Sequence, residues 1–367
     1  MSEIDVTAFL LMIGYCTVPS HAARHAINTL WAWVRYFGAL SDGDELRVSA
    51  EFSELDPHQK TILSDDFGMG MSLHLLSSAL KLQAFCDGKY FIDRLAPQLP
   101  SAVSITATKA KNGARKSPDF IAVDDKGRWH VIECKGTQSG RDYCNRQLRR
   151  GLSQKRAVQF HGSLKGQSLV TGFDIADEGS RTGSRLVIVD PEPDEPPMDI
   201  GEDDVKLARG TVARGKIAKN IMLAGAPNLS RIMAAPIGDD PSLGPFSDIQ
   251  RSRIERSDRL RAESVLDLAR LSEFKGGYVG REATLDLPFQ IETAKGTFRR
   301  VFVRSVIQRD VVASLDDSLR GDAQFSAVPL DDDLENRAFS SVKTETDDTG
   351  GELFDGKLYR SVVKFKE

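Results

Sequence analysis

Cysteine is scarce in this sequence, and the cysteines that occur are far apart. There are four in 367 residues, Cys16, Cys86, Cys134 and Cys144, and no two of them form a C-x-x-C pair. This spacing argues against a disulfide framework and against a cysteine-based zinc site. It favours a reducing compartment, so we expect a cytoplasmic protein.

The sequence also lacks a large excess of either charge and a long hydrophobic run. Its formal net charge is −4, with 49 basic and 53 acidic residues, so a surface for nucleic acid would have to be local. The apolar run near the N-terminus, residues 8–13, is too short to span a bilayer and follows acidic rather than basic residues. We therefore expect no association with a membrane.

Hydrophobic spacing predicts three regions and a linker. Residues 1–65 are predicted to form an N-terminal helical region, residues 66–190 an α/β core, and residues 205–367 a C-terminal α+β domain. Residues 190–204 contain four prolines, eight acidic residues and no basic one, so residues 191–204 are interpreted as a linker. An acidic strip of this kind could instead dock on a basic groove and mask it.

The spacing also predicts individual elements. In chain order, these are helices at 21–37 and 69–86, a strand at 101–108, strands at 119–123 and 128–135 joined by a turn, a helix at 141–161 and a strand at 185–190. Beyond the acidic segment, helices are predicted at 205–223 and 254–271, and strands within 278–312 and 352–366. The order of elements in the core is typical of a mixed α/β fold.

One acidic-x-Lys tripeptide is distinguished by its context. The sequence has six such tripeptides, so the tripeptide alone is weak evidence. Only Glu133-Cys134-Lys135 lies late in an apolar strand, where alternation puts Glu133 and Lys135 on one face and Cys134 on the other. Because a hairpin brings the start of one strand opposite the end of the next, Asp119 is expected beside Glu133 and Lys135.

Two carboxylates and an ammonium suit the hydrolysis of a phosphodiester. Carboxylates such as Asp119 and Glu133 are hard oxygen ligands for Mg²⁺ or Mn²⁺. A bound metal polarises a phosphoryl oxygen and lowers the pKa of water. Lys135 could orient that water or stabilise the developing charge. The alternative is a surface ion pair on a β-hairpin that has no catalytic role.

The sequence Ser-Pro-Asp119, followed by Glu133-Cys-Lys135, resembles the PD-(D/E)xK nuclease superfamily over residues 66–190. The resemblance implies a restriction-endonuclease-like fold, in which helices flank a mixed β-sheet, and metal-dependent cleavage of nucleic acid, DNA rather than RNA. The stretch after Lys135 looks like nucleases of bacterial restriction and anti-phage defence loci. Members of the superfamily usually add an acid from the first core helix, whereas the predicted helix 69–86 has only His74 in its middle.

The predicted helix 141–161 is the expected contact for nucleic acid. Many members of the superfamily carry a glutamine here, and Gln147, Gly151 and Gln154 share one face, so Gln154 is assigned a catalytic role. From Lys109 to Lys165 there are fourteen basic residues against five acidic ones. Phosphate contacts are predicted for Arg146, Arg149, Arg150, Lys155 and Arg156. The alternative is an ordinary solvated helix face.

Two further patterns bear on function. Gly210 to Lys216 resembles a phosphate-binding loop, but Ile217 stands where Ser or Thr is required, so a helix is predicted instead. The arginines at 299, 300 and 304 are interspersed with Val301, Phe302 and Val303 in a poorly alternating stretch, which suits a surface for a partner protein, for a second copy of the chain or for nucleic acid. A purely structural β-domain is the other interpretation. For the whole chain, the alternative to a nuclease is a non-catalytic nucleic-acid-binding or scaffold subunit.

Overall fold

A computed structural model describes residues 4–18, 30–41, 43–99, 117–155, 158–190, 199–234, 262–293, 295–320 and 330–367. The chain forms two compact units. The first unit is built on Leu30–Val212 together with the N-terminal residues up to Thr17, and the second unit is built on Ala213–Glu367. The division falls inside a helix, whereas the sequence suggested a boundary in the acidic segment 191–204. Residues 199–204 of that segment are described, and they belong to the first unit.

The first unit combines helices with a five-stranded mixed sheet. Its helices are α1 (Val6–Cys16), α2 (Leu30–Tyr36), α3 (Ala50–Ser53), α4 (Pro57–Ala79), α5 (Gly88–Leu95), α6 (Arg141–Lys155) and the start of α7 (Val205–Ala224). Its strands are β1 (Leu82–Asp87), β2 (Phe120–Asp124), β3 (Trp129–Thr137), β4 (Gln159–Phe160), β5 (Lys165–Asp174), β6 (Arg185–Val189) and β7 (Asp199–Ile200). None of the helices within the described ranges is long and apolar enough to cross a membrane.

The strand order of the main sheet is β1-β2-β3-β5-β6. All neighbouring strands are antiparallel except β3 and β5, which are parallel and connected through α6. Helix α4 packs on β3 and β5, with the Ser72 hydroxyl 2.6 Å from that of Thr171. Helix α6 packs on the opposite face of the same two strands, since Gly151 approaches Val170. The sheet therefore has a helix on each side of its central pair of strands.

The hairpin β2–β3 and the strand β6 confirm the predicted strands at 119–123, 128–135 and 185–190. The turn between β2 and β3 contains Gly127 with a φ of 75°, a conformation that glycine adopts without steric cost. The carboxylate of Asp124 accepts hydrogen bonds from the backbone N–H groups of Lys126 and Arg128, at 2.9 and 2.8 Å. The predicted strand at 101–108 lies outside the described residues.

The helix predicted at 69–86 is wrong in both of its limits. Helix α4 begins at Pro57, where Asp56 caps it by accepting hydrogen bonds from the N–H groups of His58 and Gln59. It ends at Ala79, and Lys81 with a φ of 53° redirects the chain into β1. Leu82 and Phe85 are three residues apart, which suits a helix, but in β1 they pack in the sheet. The middle of the first core helix is therefore residues 64–72.

The helix predicted at 141–161 is correct at its start and too long at its end. Helix α6 ends at Lys155, and Gln159 lies in β4, which pairs in parallel with β7. The acidic segment thus includes a short strand paired within the first unit, followed by a single helical turn at Glu202–Asp204. The docking of an acidic strip on a basic groove stays an untested alternative.

The second unit is built on a six-stranded antiparallel sheet of order β11-β12-β13-β10-β9-β8. Its strands are β8 (Ser272–Phe274), β9 (Tyr278–Thr293), β10 (Gly296–Gln308), β11 (Val342–Asp347), β12 (Gly350–Asp355) and β13 (Tyr359–Lys366). Its helices are the remainder of α7, then α8 (Pro227–Met233), α9 (262–269), α10 (Arg309–Arg320) and α11 (Asp332–Ala338). These elements confirm the predicted helix at 205–223 and the strands within 278–312 and 352–366.

The stretch that resembles a phosphate-binding loop is part of helix α7, as predicted. Lys216 is 1% exposed, and its ammonium lies 2.6 Å from the carboxylate of Asp355 and donates to the carbonyl oxygen of Ser340. Asn220 donates to the same carboxylate at 2.6 Å. Since Lys216 is used in the interior of the second unit, it does not face a phosphate group.

Candidate active site

The hairpin β2–β3 brings together Asp119, Glu133 and Lys135. The carboxylate of Asp119 accepts a hydrogen bond of 2.7 Å from the backbone N–H of Cys134, and its carbonyl oxygen accepts one of 2.8 Å from Gly88. The ammonium of Lys135 donates to the carboxylate of Glu133. Two carboxylates and one cation therefore meet where β2 begins and β3 approaches its end, as strand alternation and hairpin pairing predict.

Glu133 is an unusual carboxylate because it is completely buried. Its exposed fraction is 0%, and the side chain of Lys135 is 18% exposed. One oxygen of Glu133 binds Lys135, while the other, Oε2, has no hydrogen-bond partner within the part of the chain that the structure describes. A buried carboxylate oxygen without a donor is costly. A hydrogen-bond donor or a cation would satisfy this oxygen.

Burial sets the protonation of the two carboxylates. It raises the pKa of Glu133 to about 8, and the neighbouring charge of Asp119 adds to this effect against the opposing ammonium of Lys135. Burial also raises the pKa of Asp119 to about 6, although Lys135 and the N–H of Cys134 oppose the shift. For Lys135 burial lowers the pKa, but the two carboxylates outweigh it and the net shift is upward. The ammonium is therefore charged at neutral pH.

Cys134 is on the other face of β3, as predicted, and has no catalytic features. The residue is 6% exposed, and burial raises the pKa of its thiol well above the usual value. Ser72 and Thr171 lie beside it and are bonded to each other. The hydroxyl of Thr171 also donates to the carbonyl oxygen of Glu133 at 3.2 Å, which helps to fix the backbone of the site.

Helix α4 packs unusually close to β3 at the site. A Cβ atom on Gly68 would lie 2.7 Å from the backbone nitrogen of Gly136, and one on Gly136 would lie 1.7 Å from the carbonyl oxygen of Ser64. A side chain at either position would clash with the backbone of the other element, so both positions require glycine. These close contacts place residues 64–68 of the helix directly beside the end of β3 that carries Lys135.

This packing brings a carboxylate to the site that sequence analysis missed. Asp65 remains exposed, yet partial desolvation raises its pKa and the ammonium of Lys135 opposes that shift. Asp65 in turn raises the pKa of Asp119, as does Asp87 at the end of β1. Asp65 therefore interacts electrostatically with both Lys135 and Asp119. The signal that could have found it is Asp56-Pro57, which marks where α4 begins.

The neighbouring Asp66 has a different role. Its carboxylate accepts a hydrogen bond from the hydroxyl of Tyr36 on helix α2, and both residues are buried. The ring of Tyr36 packs edge-on against Phe67, with 5.3 Å between the ring centroids. Asp66 thus anchors α4 to α2, so the two adjacent aspartates differ in function.

Helix α6 covers Glu133 through Gly151. A Cβ atom on Gly151 would lie 3.1 Å from Cγ of Glu133 and 2.6 Å from Cγ1 of Val170, so a larger side chain does not fit. The predicted line of Gln147, Gly151 and Gln154 therefore includes the residue that packs on the site. Gln147 donates to the hydroxyl of Tyr143 at 3.2 Å. The side chain of Gln154 lies outside the described set, so its assigned role stays a prediction.

The basic residues of α6 are exposed where the structure describes their side chains. Arg146, Arg149 and Arg150 all face solvent, and the guanidinium of Arg146 lies 5.2 Å from the ring centroid of Tyr143. The side chain of Lys155 and the whole of Arg156 lie outside the described residues. The three described arginines therefore form a solvent-facing cationic surface on the helix that covers Glu133.

The fold and the site define a mixed α/β protein with a carboxylate–lysine cluster at the junction of two strands. No protein-family model, curated protein or solved structure matches this chain. Among the described residues, no group of three or more His, Cys, Asp or Glu side chains is arranged to enclose a metal ion. Only the residues of the site and their geometry therefore indicate a function.

Replacing Glu133 by glutamine is expected to stabilise the metal-free protein at high pH. The pKa of Glu133 is about 8 in the folded state against an ordinary value of 4.5, so the folded protein retains a proton that the unfolded chain releases. The free energy of unfolding therefore falls as pH rises from about 4.5 to 8. Glutamine does not ionise and so avoids this loss. We expect it to increase the free energy of unfolding by on the order of 2 kcal/mol at pH 9 and to change it little at pH 5.

Urea titrations in EDTA at both pH values measure this effect. Glu54→Gln is the matched control, because Glu54 is an exposed carboxylate in the same unit. An equal gain for both variants, or a gain for Glu133→Gln that is larger at pH 5, would contradict the burial argument.

Proposed function

We propose that this protein is a metal-dependent nuclease of the PD-(D/E)xK type, which hydrolyses phosphodiester bonds of nucleic acid and prefers DNA to RNA. The observation that carries the proposal is the buried, incompletely bonded carboxylate of Glu133, together with Asp119 and Lys135 on the same hairpin. Restriction or anti-phage defence in the cytoplasm is the setting that the sequence resemblance suggests.

The strand topology supports the proposal. An antiparallel hairpin, a crossover helix and a strand parallel to the second arm of the hairpin follow one another as β2, β3, α6 and β5. This arrangement agrees with the restriction-endonuclease-like core that the motif implies. Helix α4 and strand β1 precede this core along the chain, and β1 extends the sheet beside β2.

The residues present fit a divalent metal ion. Asp119 and Glu133 would hold it, since Mg²⁺ and Mn²⁺ prefer carboxylate oxygens and retain several waters. The unpartnered Oε2 of Glu133 is the observation in favour, because a cation would satisfy it. When bound, the ion polarises the phosphoryl oxygen and lowers the pKa of water. Two protein carboxylates with waters and substrate phosphate make up an ordinary coordination shell for these ions.

The side chains of the site have separate roles beside the metal ion. Lys135 carries a positive charge beside both carboxylates and is positioned to hold a water molecule or to stabilise negative charge that develops on the phosphate. Asp119 is oriented by the N–H of Cys134, so its carboxylate does not need to reorganise. The raised pKa of Glu133 means that the metal-free site retains a proton near neutral pH, which a cation must displace. The arginines of α6 bind the phosphate backbone without selecting a sequence.

Metal-dependent cleavage is the test of the proposal. Supercoiled plasmid and labelled single-stranded DNA, duplex DNA and RNA are incubated with Mg²⁺, with Mn²⁺ or with EDTA. We expect cleavage with either metal, none in EDTA, and faster cleavage of DNA than of RNA. Binding of nucleic acid without cleavage of any substrate in either metal would instead favour a non-catalytic subunit.

A further inference from the structure

The outward face of the second unit's sheet has a regular pattern on its two central strands, β10 and β13. In β10, Val301 and Val303 are buried while Arg300, Phe302 and Arg304 alternate with them toward solvent. The register places Arg300 opposite Lys366 and Phe302 opposite Lys364. The side chains of the arginine-rich stretch near residue 300 therefore lie on two faces of the sheet, one inward and one outward.

The outward positions of these two strands are basic or apolar, and none is acidic. The cations are Arg300, Arg304, Arg360, Lys364 and Lys366, and the other positions on this face are Phe302, which is partly exposed, and Val306 and Val362, which are buried. The chain as a whole has a net charge of −4, so this concentration of positive charge is local. We call these outward positions of β10 and β13 the basic sheet face.

Neighbouring carboxylates pair directly with two cations of the basic sheet face and leave the two lysines without a direct ion pair. Arg304 lies 2.8 Å from Glu282, and Arg360 is bonded to Glu352. By contrast, Lys364 and Lys366 are exposed and take part in no direct ion pair within the described ranges, although Lys364, after the hydrogen bonds from Thr349, helps to lower the pKa of Asp347. Arg300, also exposed, donates to a backbone oxygen of Glu367 at 2.7 Å and lies opposite Asp286 of β9 in the register. Lys364 and Lys366 are therefore the exposed cations beside Phe302 that an anionic partner can reach.

Flat groups lie between these cations. The ammonium of Lys366 is 4.6 Å from the ring centroid of Phe302, and the guanidinium of Arg304 is 5.1 Å from it on the neighbouring outward position. Arg304 also lies 4.8 Å from the ring centroid of Phe274 on β8. Rings and guanidinium planes that alternate with ammonium groups provide both stacking surfaces and phosphate contacts.

We infer that the basic sheet face binds single-stranded nucleic acid. The unstacked bases of a single strand can lie on aromatic rings and guanidinium planes while lysines contact the phosphates, whereas the bases of a duplex are stacked on one another and do not offer these surfaces. An acidic peptide would match the charge but would not use the planar groups, and peptides commonly pair with a sheet edge rather than a face. The inference goes beyond cleavage and does not depend on the catalytic role of the first unit.

Fluorescence anisotropy on the full-length Glu133→Gln protein in EDTA tests this surface. The probe is a labelled thymidine oligonucleotide of about 20 nucleotides, longer than the ~4–16 that one comparable platform covers. The test variant is Arg300→Ser/Lys364→Ser/Lys366→Ser. The matched control is Lys275→Ser/Lys295→Ser/Lys357→Ser, which removes three exposed cations in turns of the same unit. Circular dichroism and thermal melting verify that both are folded.

The test variant is expected to bind the probe at least ~10-fold more weakly, and the slope of log affinity against log salt should decrease by about 2, near 0.7 for each lost phosphate contact. The control should change affinity by less than about twofold. Phe302→Leu should weaken binding by roughly tenfold without changing the salt slope, since it removes stacking only. Binding that remains in the test variant reflects other surfaces, such as α6.

Three outcomes would overturn the inference. The first is a test variant that binds with unchanged affinity and salt slope. The second is an equal loss of affinity for the matched control, which would mean that only total charge matters. The third is a test variant that loses as much affinity for polyglutamate as for the oligonucleotide, while Phe302→Leu leaves oligonucleotide binding unchanged. That result would identify a protein-docking surface instead. None of these outcomes depends on cleavage, so the nuclease proposal is tested separately.

Discussion

Glu133→Gln and Asp119→Asn are each expected to lower the rate of DNA cleavage by at least ~10³-fold, the scale of losing a metal ligand or a preorganised charge. Both substitutions preserve shape and remove a negative charge. Calorimetric titration with Mn²⁺ should show that metal affinity falls together with the rate. Full cleavage by the Glu133→Gln protein would contradict the assignment of this carboxylate.

Lys135 provides the contrast within the same cluster. Lys135→Ala is expected to impair cleavage strongly while Mn²⁺ still binds, because the ammonium is not a metal ligand. Its removal also eliminates the positive charge that favours ionisation of both carboxylates, so Glu133 and Asp119 should take up protons more readily. Metal affinity is therefore measured at pH 9 as well as at pH 7. A complete loss of binding at both values would show that the lysine has a different role.

Glu133→Gln should both abolish the proposed cleavage and stabilise the metal-free protein. Completely burying a carboxylate is unfavourable for folding, and Lys135 offsets only part of the cost. Buried carboxylates with a raised pKa are common at sites whose chemistry requires that shift. The same side chain thus connects stability, metal binding and catalysis, and measuring all three on one variant distinguishes a catalytic carboxylate from an ordinary ion pair.

The hairpin was predictable because its signals are local. Alternation over Trp129–Lys135 fixes which side chains share a face, and the sequence Asp124-Asp125-Lys126-Gly127 fixes the turn. Together they determine that Asp119 meets Glu133 and Lys135: its carboxylate accepts from the N–H of Cys134, which lies between them, and Lys135 donates to Glu133. No knowledge of distant parts of the chain was needed.

The position of α4 was not predictable from the same kind of pattern. Leu82 and Phe85 continue the spacing of a helix, so the pattern alone extends the helix through what is actually β1. The close approach of Gly68 to Gly136 is a tertiary contact between residues far apart in sequence, and no local spacing encodes it. The carboxylate that this contact brings to the site, Asp65, was therefore missed. The same limit applies to the basic sheet face, whose register joins β10 to β13.

Asp65→Asn is expected to reduce the rate of cleavage by roughly 10²–10³-fold. This effect lies between that of losing a residue that orients a metal ligand and that of losing the ligand itself. Asp65 interacts electrostatically with Lys135 and Asp119, and it lies on the first core helix, where the PD-(D/E)xK resemblance implies a further acid. Because Asp65 is exposed, folding should be preserved. Mn²⁺ affinity or stoichiometry should fall as well.

Two controls separate this role from a general effect of α4. Asp66→Asn weakens the bond to Tyr36, so it should lower thermal stability while leaving Mn²⁺ stoichiometry unchanged. Asp93→Asn removes an exposed carboxylate of α5 and should change neither rate nor metal binding. If Asp65→Asn cleaves as fast as Asp93→Asn, the helix does not contribute an acid. The site then consists of Asp119, Glu133 and Lys135 alone, with waters and substrate phosphate supplying every other metal ligand.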